Sequence, residues 1–71
     1  MDALITAVRP QDVAREVESM LQRGNVDRFV LRPVSHGGML DQERLGAARY
    51  AAGLQSTVEL EALTAAAAAA R

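Results

Sequence analysis

The most constraining feature of this chain is one segment, PQDVAREVESMLQRGN, in which the helix signals agree. Val13 and Val17 recur with the spacing of one helix face, and charged side chains occupy the opposite face. Pro10 has the fixed φ of a first helical turn, and Gly24 supplies the left-handed residue on which helices commonly end. The sequence therefore predicts a helix over residues 10–23.

Apolar and β-branched residues precede and follow this helix in the sequence. Residues 1–8 contain Ile5 and Val8, which favour a short strand, although the alanines of this stretch suit a helix equally well. After the helix, an apolar run predicts a strand over residues 26–32. Pro33 ends it, because proline cannot donate a hydrogen bond to a neighbouring strand.

A second helix pattern follows a loop that reads PVSHGG. Asp41 is expected to be the N-cap, because its carboxylate can accept hydrogen bonds from backbone amides of the first turn. Leu45, Ala48 and Ala52 form a stripe of mostly small residues, and a glycine follows them. A helix is predicted over residues 40–52.

The last part of the chain is rich in alanine, which has the highest intrinsic helix propensity. Ser56 and Glu59 before it have the spacing of a capping box. A third helix is therefore predicted over residues 57–70, either separate or as a kinked continuation of the second. The expected fold is α+β or small α/β, helix-dominated, in the order strand, helix, strand, helix and possible further helix, within one small domain over residues 1–71.

Length and composition predict that this fold depends on partners. A chain of 71 residues buries only about 60% of the surface that its unfolded form exposes. It has no cysteine for a disulfide and one histidine, and its two aromatic residues are Phe29 and Tyr50. Oligomerisation is the remaining common route to stability. The expected interface comprises apolar residues of the second strand and the C-terminal helices: Phe29, Val30, Leu31, Val34, Leu45, Ala48, Ala52, Val58, Leu60 and Leu63.

Charge and hydropathy bear on the class of partner. Eight basic and nine acidic residues are mixed along the chain, which predicts no nucleic-acid partner. The chain contains no apolar run of the roughly 20 residues that a membrane-spanning helix needs. Its start, MDALITAV, carries Asp2 where a signal peptide has positive charge. We therefore expect a cytoplasmic chain, or part of a particle assembled in the cytoplasm, with protein partners and no membrane.

The loop between the second strand and the second helix holds the polar residues of greatest chemical interest. His36 can carry protons near neutral pH, and Gly37 and Gly38 allow backbone amides to surround an anion at a helix start. A polar residue before two glycines is also ordinary turn chemistry. Ser35 and His36 are neighbours in an extended segment and point opposite ways, so they form no nucleophile and base pair. No catalytic, cofactor-binding or metal-binding residue is assigned.

Residues 9–34 resemble the C-terminal βα unit of luciferase-like flavin monooxygenases. The likeness is carried by Pro10, Asp12-Val13-Ala14, Gly24, Val26-Asp27 and Phe29-Val30-Leu31-Arg32-Pro33. Asn25 departs from the family pattern. The resemblance implies a piece of a TIM barrel with flavin chemistry. Such barrels need about 250 residues, and the family's flavin-binding and catalytic residues have no counterpart in this stretch.

Two function classes follow. The first is a small non-catalytic structural or adaptor subunit that packs within a homo-oligomer or larger assembly, such as a virion component or the accessory chain of a complex. The alternative is a small α/β cofactor-binding module, or a remnant of a flavin-dependent barrel enzyme, that binds a phosphate-bearing cofactor at His36, Gly37 and Gly38. A DNA-binding ribbon–helix–helix protein would need a basic strand pair, which the sequence lacks.

Overall fold

A computed structural model of the protein describes residues 1–54 and 56–60, with His36 represented by its backbone. Strands and helices alternate over this range. The elements are β1 (Asp2–Ile5), α1 (Pro10–Arg23), β2 (Arg28–Leu31), a short 3₁₀ helix (His36–Gly38), α2 (Met39–Ala52) and β3 (Thr57–Leu60). The prediction of a small fold that combines helices with a sheet is confirmed.

The three strands of the described residues form one parallel sheet in the order β1-β2-β3. Ala3 of β1 lies opposite Phe29 of β2, which in turn lies opposite Val58 of β3. Each strand is therefore next to the strand that precedes it in the chain, and each connection contains one helix.

Both helices cover the same face of this sheet. Side chains alternate along a strand, so every second residue of each strand points to the helices. These residues and the inner faces of α1 and α2 form one continuous hydrophobic core. Its buried members are Ala3, Ile5, Val13, Val17, Phe29, Leu31, Leu45, Ala48, Ala52 and Val58.

Helix α1 has the predicted bounds. Pro10 occupies its first turn, and Val13 and Val17 are fully buried against the sheet. The helix ends at Gly24, whose φ is +83° and whose amide donates to the carbonyl of Leu21. A residue with a side chain adopts this conformation only with strain, which explains the glycine.

The other element boundaries differ from the predictions by small amounts. Residues 1–8 contain a strand, β1, and no helix. Strand β2 is shorter than the predicted 26–32, because residues 26 and 27 lie in the preceding loop and residue 32 lies in the following one. Helix α2 begins one residue earlier than predicted, and its N-cap is Gly38 instead of Asp41. The carboxylate of Asp41 binds the preceding loop instead.

The predicted third helix is wrong for its first four residues, which form strand β3. Thr57 and Val58 are β-branched, and β3 gains its hydrogen bonds from pairing with β2. Ser56 is no helix cap, because its Oγ donates to the carbonyl of Val26 at 3.2 Å. Long-range pairing therefore outweighs the local capping-box pattern. The remainder of the predicted helix, residues 61–70, lies outside the described residues.

Candidate functional site

The carboxyl end of the sheet carries a buried ion pair between Asp41 and Arg44, one turn apart on α2. Both side chains are almost fully shielded from solvent, with 2% and 1% of their surfaces exposed respectively. Nη1 of Arg44 lies 3.0 Å from Oδ1 of Asp41. A buried charge is tolerated only when it is paired and hydrogen-bonded, so the remaining contacts of both groups explain how the pair persists.

Asp41 binds the loop that leads from β2 into α2. Its Oδ1 accepts from the amide of Val34 at 2.9 Å, and its Oδ2 accepts from the amide of Ser35 at 3.2 Å. The Ser35 hydroxyl donates to Oδ2 of Asp41 and accepts from the Asp41 amide. One carboxylate therefore fixes the direction in which the chain enters α2.

These contacts also set the acidity of Asp41. Burial by itself raises the pKa of this carboxyl group, because it disfavours the charged form. The amides of Val34 and Ser35 and the guanidinium of Arg44 favour the charged form and prevail. The pKa of Asp41 is therefore lowered below its ordinary value.

Arg44 joins the ends of two strands. Its Nε donates to the carbonyl of Ala7, just beyond β1, at 3.0 Å, and its Nη1 donates to the carbonyl of Arg32, just beyond β2, at 2.7 Å. Glu16 of α1 makes a related contact, because its carboxylate accepts from the amides of Thr6 and Ala7. The carboxyl ends of β1 and β2 are thus held to both helices by charged side chains.

The sequence contained a signal for this pair. Asp41 lies four positions before Leu45 on the stripe that continues through Ala48, and Arg44 is adjacent to it on the helix surface. Two opposite charges in phase with a buried stripe indicate a buried ion pair. The sequence interpretation of Asp41 as a simple N-cap missed this role, and it assigned none to Arg44.

A cavity of about 180 Å³ lies beside this pair at the carboxyl end of β1 and β2. Ligands of open α/β sheets bind at this end of the strands. The cavity is smaller than the roughly 300–1,000 Å³ of drug-sized ligand pockets. Its lining residues are Leu4, Ile5, Thr6, Arg32, Val34 and Arg44.

The glycine loop adopts an unusual backbone. Gly37 and Gly38 have φ values of +78° and +77°, and the backbone of His36 opens the short 3₁₀ helix before α2. The amides of Val34 and Ser35, which precede these residues, already bind Asp41. An incoming anion would therefore have to bind other amides of this loop.

The face of the sheet opposite the helices is not covered by any described residue. We call it the open face. It comprises the outward-pointing residues of the three strands: Asp2 and Leu4 of β1, Arg28 and Val30 of β2, and Thr57 and Glu59 of β3.

Charged side chains meet on the open face around Arg28 of the central strand: Asp2 lies directly beside Arg28, and Glu59 lies beside Val30, two residues further along. Arg28 forms ion pairs with Asp2 and with Glu59, the latter at 3.1 Å. The hydrogen bond and charge of Asp2, together with the charge of Glu59, raise the pKa of Arg28 above its already high ordinary value. All three side chains remain substantially exposed, so the screened pairs contribute little to stability.

Most of the predicted interface residues lie in the interior of the chain itself. The core contains Phe29, Leu31, Leu45, Ala48, Ala52 and Val58, so these six are not available to a partner at the surface of the described fold. Sequence periodicity identifies apolar positions, but it does not separate an internal core from an interface. The other predicted residues are half-buried Val30 and Leu60, exposed Val34, and Leu63, which lies outside the described residues.

Residues 1–54 and 56–60 contain no group of three histidine, cysteine or acidic side chains that could hold a metal ion. Within the same residues, neither helix is long and apolar enough to cross a membrane. Comparisons of the chain with models of protein families, with curated proteins and with solved structures found no match.

Proposed function

We propose that this chain is a small non-catalytic structural or adaptor subunit that packs within a homo-oligomer or a larger assembly in the cytoplasm. A virion component or the accessory chain of a complex would have this role. The observation that carries the proposal is the open face, because parallel sheets are normally covered on both faces.

The edges of the sheet support the same proposal. Within the described residues, the outer edges of β1 and β3 pair with no other strand. Unpaired edges present backbone donors and acceptors to other chains. In the part of the chain that the structure describes, one face and two edges of the sheet are uncovered, and a partner can bury them, whereas the core side chains already pack against one another.

The native mass of the purified chain tests this proposal. Sedimentation velocity over a range of concentrations is expected to give particles heavier than the 7.6 kDa chain. Cooperative thermal unfolding should also shift to higher temperature as concentration rises, because association stabilises the folded state. A monomer at every concentration, with an unfolding temperature that does not change, would contradict self-assembly.

A second candidate is a cofactor-binding module or a remnant of a flavin-dependent barrel. Sequential strand order with both helices on one face favours it, because this is the winding of a (βα) barrel. The cavity at the carboxyl end of β1 and β2 lies where such folds place their ligands. Addition of flavin mononucleotide should then raise the unfolding temperature and quench flavin fluorescence. The assembly role predicts neither change.

A further inference from the structure

We propose that the cavity at the carboxyl end of β1 and β2 binds a small uncharged molecule that has an apolar body and one carbonyl oxygen. The carbonyl oxygen accepts a hydrogen bond from Nη2 of Arg44, and the apolar body contacts the walls of the cavity. A small amide, ketone or aldehyde has this chemistry. The inference goes beyond the assembly role, because the cavity lies within a single copy of the chain.

Arg44 has a donor group that the fold does not use. A guanidinium carries N–H donors on Nε, Nη1 and Nη2. Nε of Arg44 donates to the carbonyl of Ala7, and Nη1 donates to the carbonyl of Arg32 and to the carboxylate of Asp41. Among the described residues, Nη2 has no hydrogen-bond partner.

This donor group is accessible at the cavity. The side chain of Arg44 is only 1% exposed, and it lines the cavity. In the part of the chain that the structure describes, Nε of Arg28 is the one buried side-chain nitrogen or oxygen that lacks a hydrogen-bond partner. Nη2 of Arg44 therefore still reaches solvent, and the cavity is where this side chain meets it. A ligand that brings an acceptor into the cavity satisfies the donor.

The walls of the cavity are largely apolar. Leu4, Ile5 and Val34 line it, and Leu4 and Val34 remain 42% and 46% exposed. A ligand can therefore remove apolar surface from water, which favours binding. Apolar walls with a few placed polar groups are typical of small-molecule sites, in which the polar groups fix the orientation of the ligand.

The volume of the cavity limits the size of the ligand. An apolar cavity of about 150 Å³ holds one benzene molecule, and this cavity measures about 180 Å³. It accommodates one ring or a short branched chain together with one carbonyl group. So small a ligand binds weakly, with a Kd on the order of 1 mM.

The buried ion pair selects an uncharged ligand. Asp41 and Arg44 neutralise each other. A carboxylate placed beside Nη2 would also lie near the carboxylate of Asp41, and a buried charge without its own counter-ion is costly. Arg32 lines the cavity too, but it makes a further interaction of its own and is not assigned to the ligand. An uncharged carbonyl uses the donor without adding a charge.

Benzamide is a suitable probe, because it combines one ring with one uncharged carbonyl. Titration of the isotopically labelled chain, followed by heteronuclear NMR, should shift the backbone amides of residues 4–6, 32 and 34 and the Nε–H signal of Arg44. Toluene, which has the ring but no acceptor, and benzoate, which carries a charge, should bind more weakly. This series tests the donor without replacing Arg44, which itself holds the fold together.

Two matched substitutions test the location of the site. Val34→Trp places a large ring at the wall of the cavity and should abolish the benzamide shifts. Val8→Trp is the control, because Val8 is similarly exposed, at 49%, but does not line the cavity. This variant should bind benzamide as the wild-type chain does.

The outcomes separate the parts of the inference. Absence of benzamide shifts in the wild-type chain, or equal responses of the two variants, would refute the cavity as a binding site. Toluene binding as tight as that of benzamide would refute the hydrogen bond to Arg44, and tighter binding of benzoate would refute an uncharged ligand. None of these results depends on self-association, which sedimentation measures separately.

Discussion

Replacement of Arg44 by methionine should destabilise the fold strongly. The guanidinium donates to the carbonyls of Ala7 and Arg32 and to the carboxylate of Asp41, and the side chain is fully buried. Methionine occupies a similar space but has no donor. The substitution therefore removes the hydrogen bonds with little change in packing.

The size of this destabilisation follows from the hydrogen bonds of Arg44 to the carbonyls of Ala7 and Arg32, which are 3.0 and 2.7 Å long. Each hydrogen bond to a charged group contributes about 1.5–3 kcal/mol, and relief of the cost of burying the guanidinium offsets part of their sum. We expect a net loss of about 3 kcal/mol. At roughly 0.05–0.15 kcal/mol per residue, a chain of this size has about 4–11 kcal/mol of stability in total.

Urea denaturation followed by far-ultraviolet circular dichroism measures this loss. For a small protein with a slope of about 1 kcal/mol/M, the midpoint should fall by about 3 M. Arg49→Met, at an exposed position of the same helix, is the control and should shift the midpoint by less than about 0.5 M. Equal midpoints for the two variants would refute the view that Arg44 ties the strand ends together.

Four further predictions concern single residues. Because the pKa of Asp41 is lowered in the folded state, the ionised carboxylate stabilises the fold. This stabilisation is complete above the ordinary carboxyl pKa and is lost as pH falls through the lowered value. Urea midpoints measured against pH should therefore fall less steeply in acid for Asp41→Asn than for the wild-type chain. Phe29→Ala, at a position with no exposed surface, should cost about 3–5 kcal/mol of unfolding free energy, and a loss below about 1 kcal/mol would place this ring outside a packed core. Gly24→Ala should cost about 1–3 kcal/mol in the same assay, because φ is +83° although the added methyl group would meet no atom within 4 Å. Gly46→Ala, within α2 and equally unobstructed, should instead stabilise the chain by about 0.5–1 kcal/mol.

The buried site was only partly predictable. Leu45, Ala48 and Ala52 were recognised as one stripe, and the structure places them in the core. The sequence interpretation assigned them to an interface, because burial within the chain and burial against a partner produce the same periodicity. Asp41 was recognised as a helix-start residue, but the acceptors of Arg44 come from the ends of β1 and β2. Contacts between residues distant in sequence leave no local pattern.

The sequence by itself determined helix α1, the second strand and the position of α2, whereas it left residues 1–8 open between a strand and a helix. Each of these is specified by neighbouring residues: the proline at the start of α1, the spacing of Val13 and Val17, and the glycines at both helix ends. Only the tertiary structure decided that Thr57–Leu60 is a strand. Its local pattern suited a helix, and the deciding free energy comes from hydrogen bonds and side-chain contacts with β2, almost thirty residues earlier in the chain.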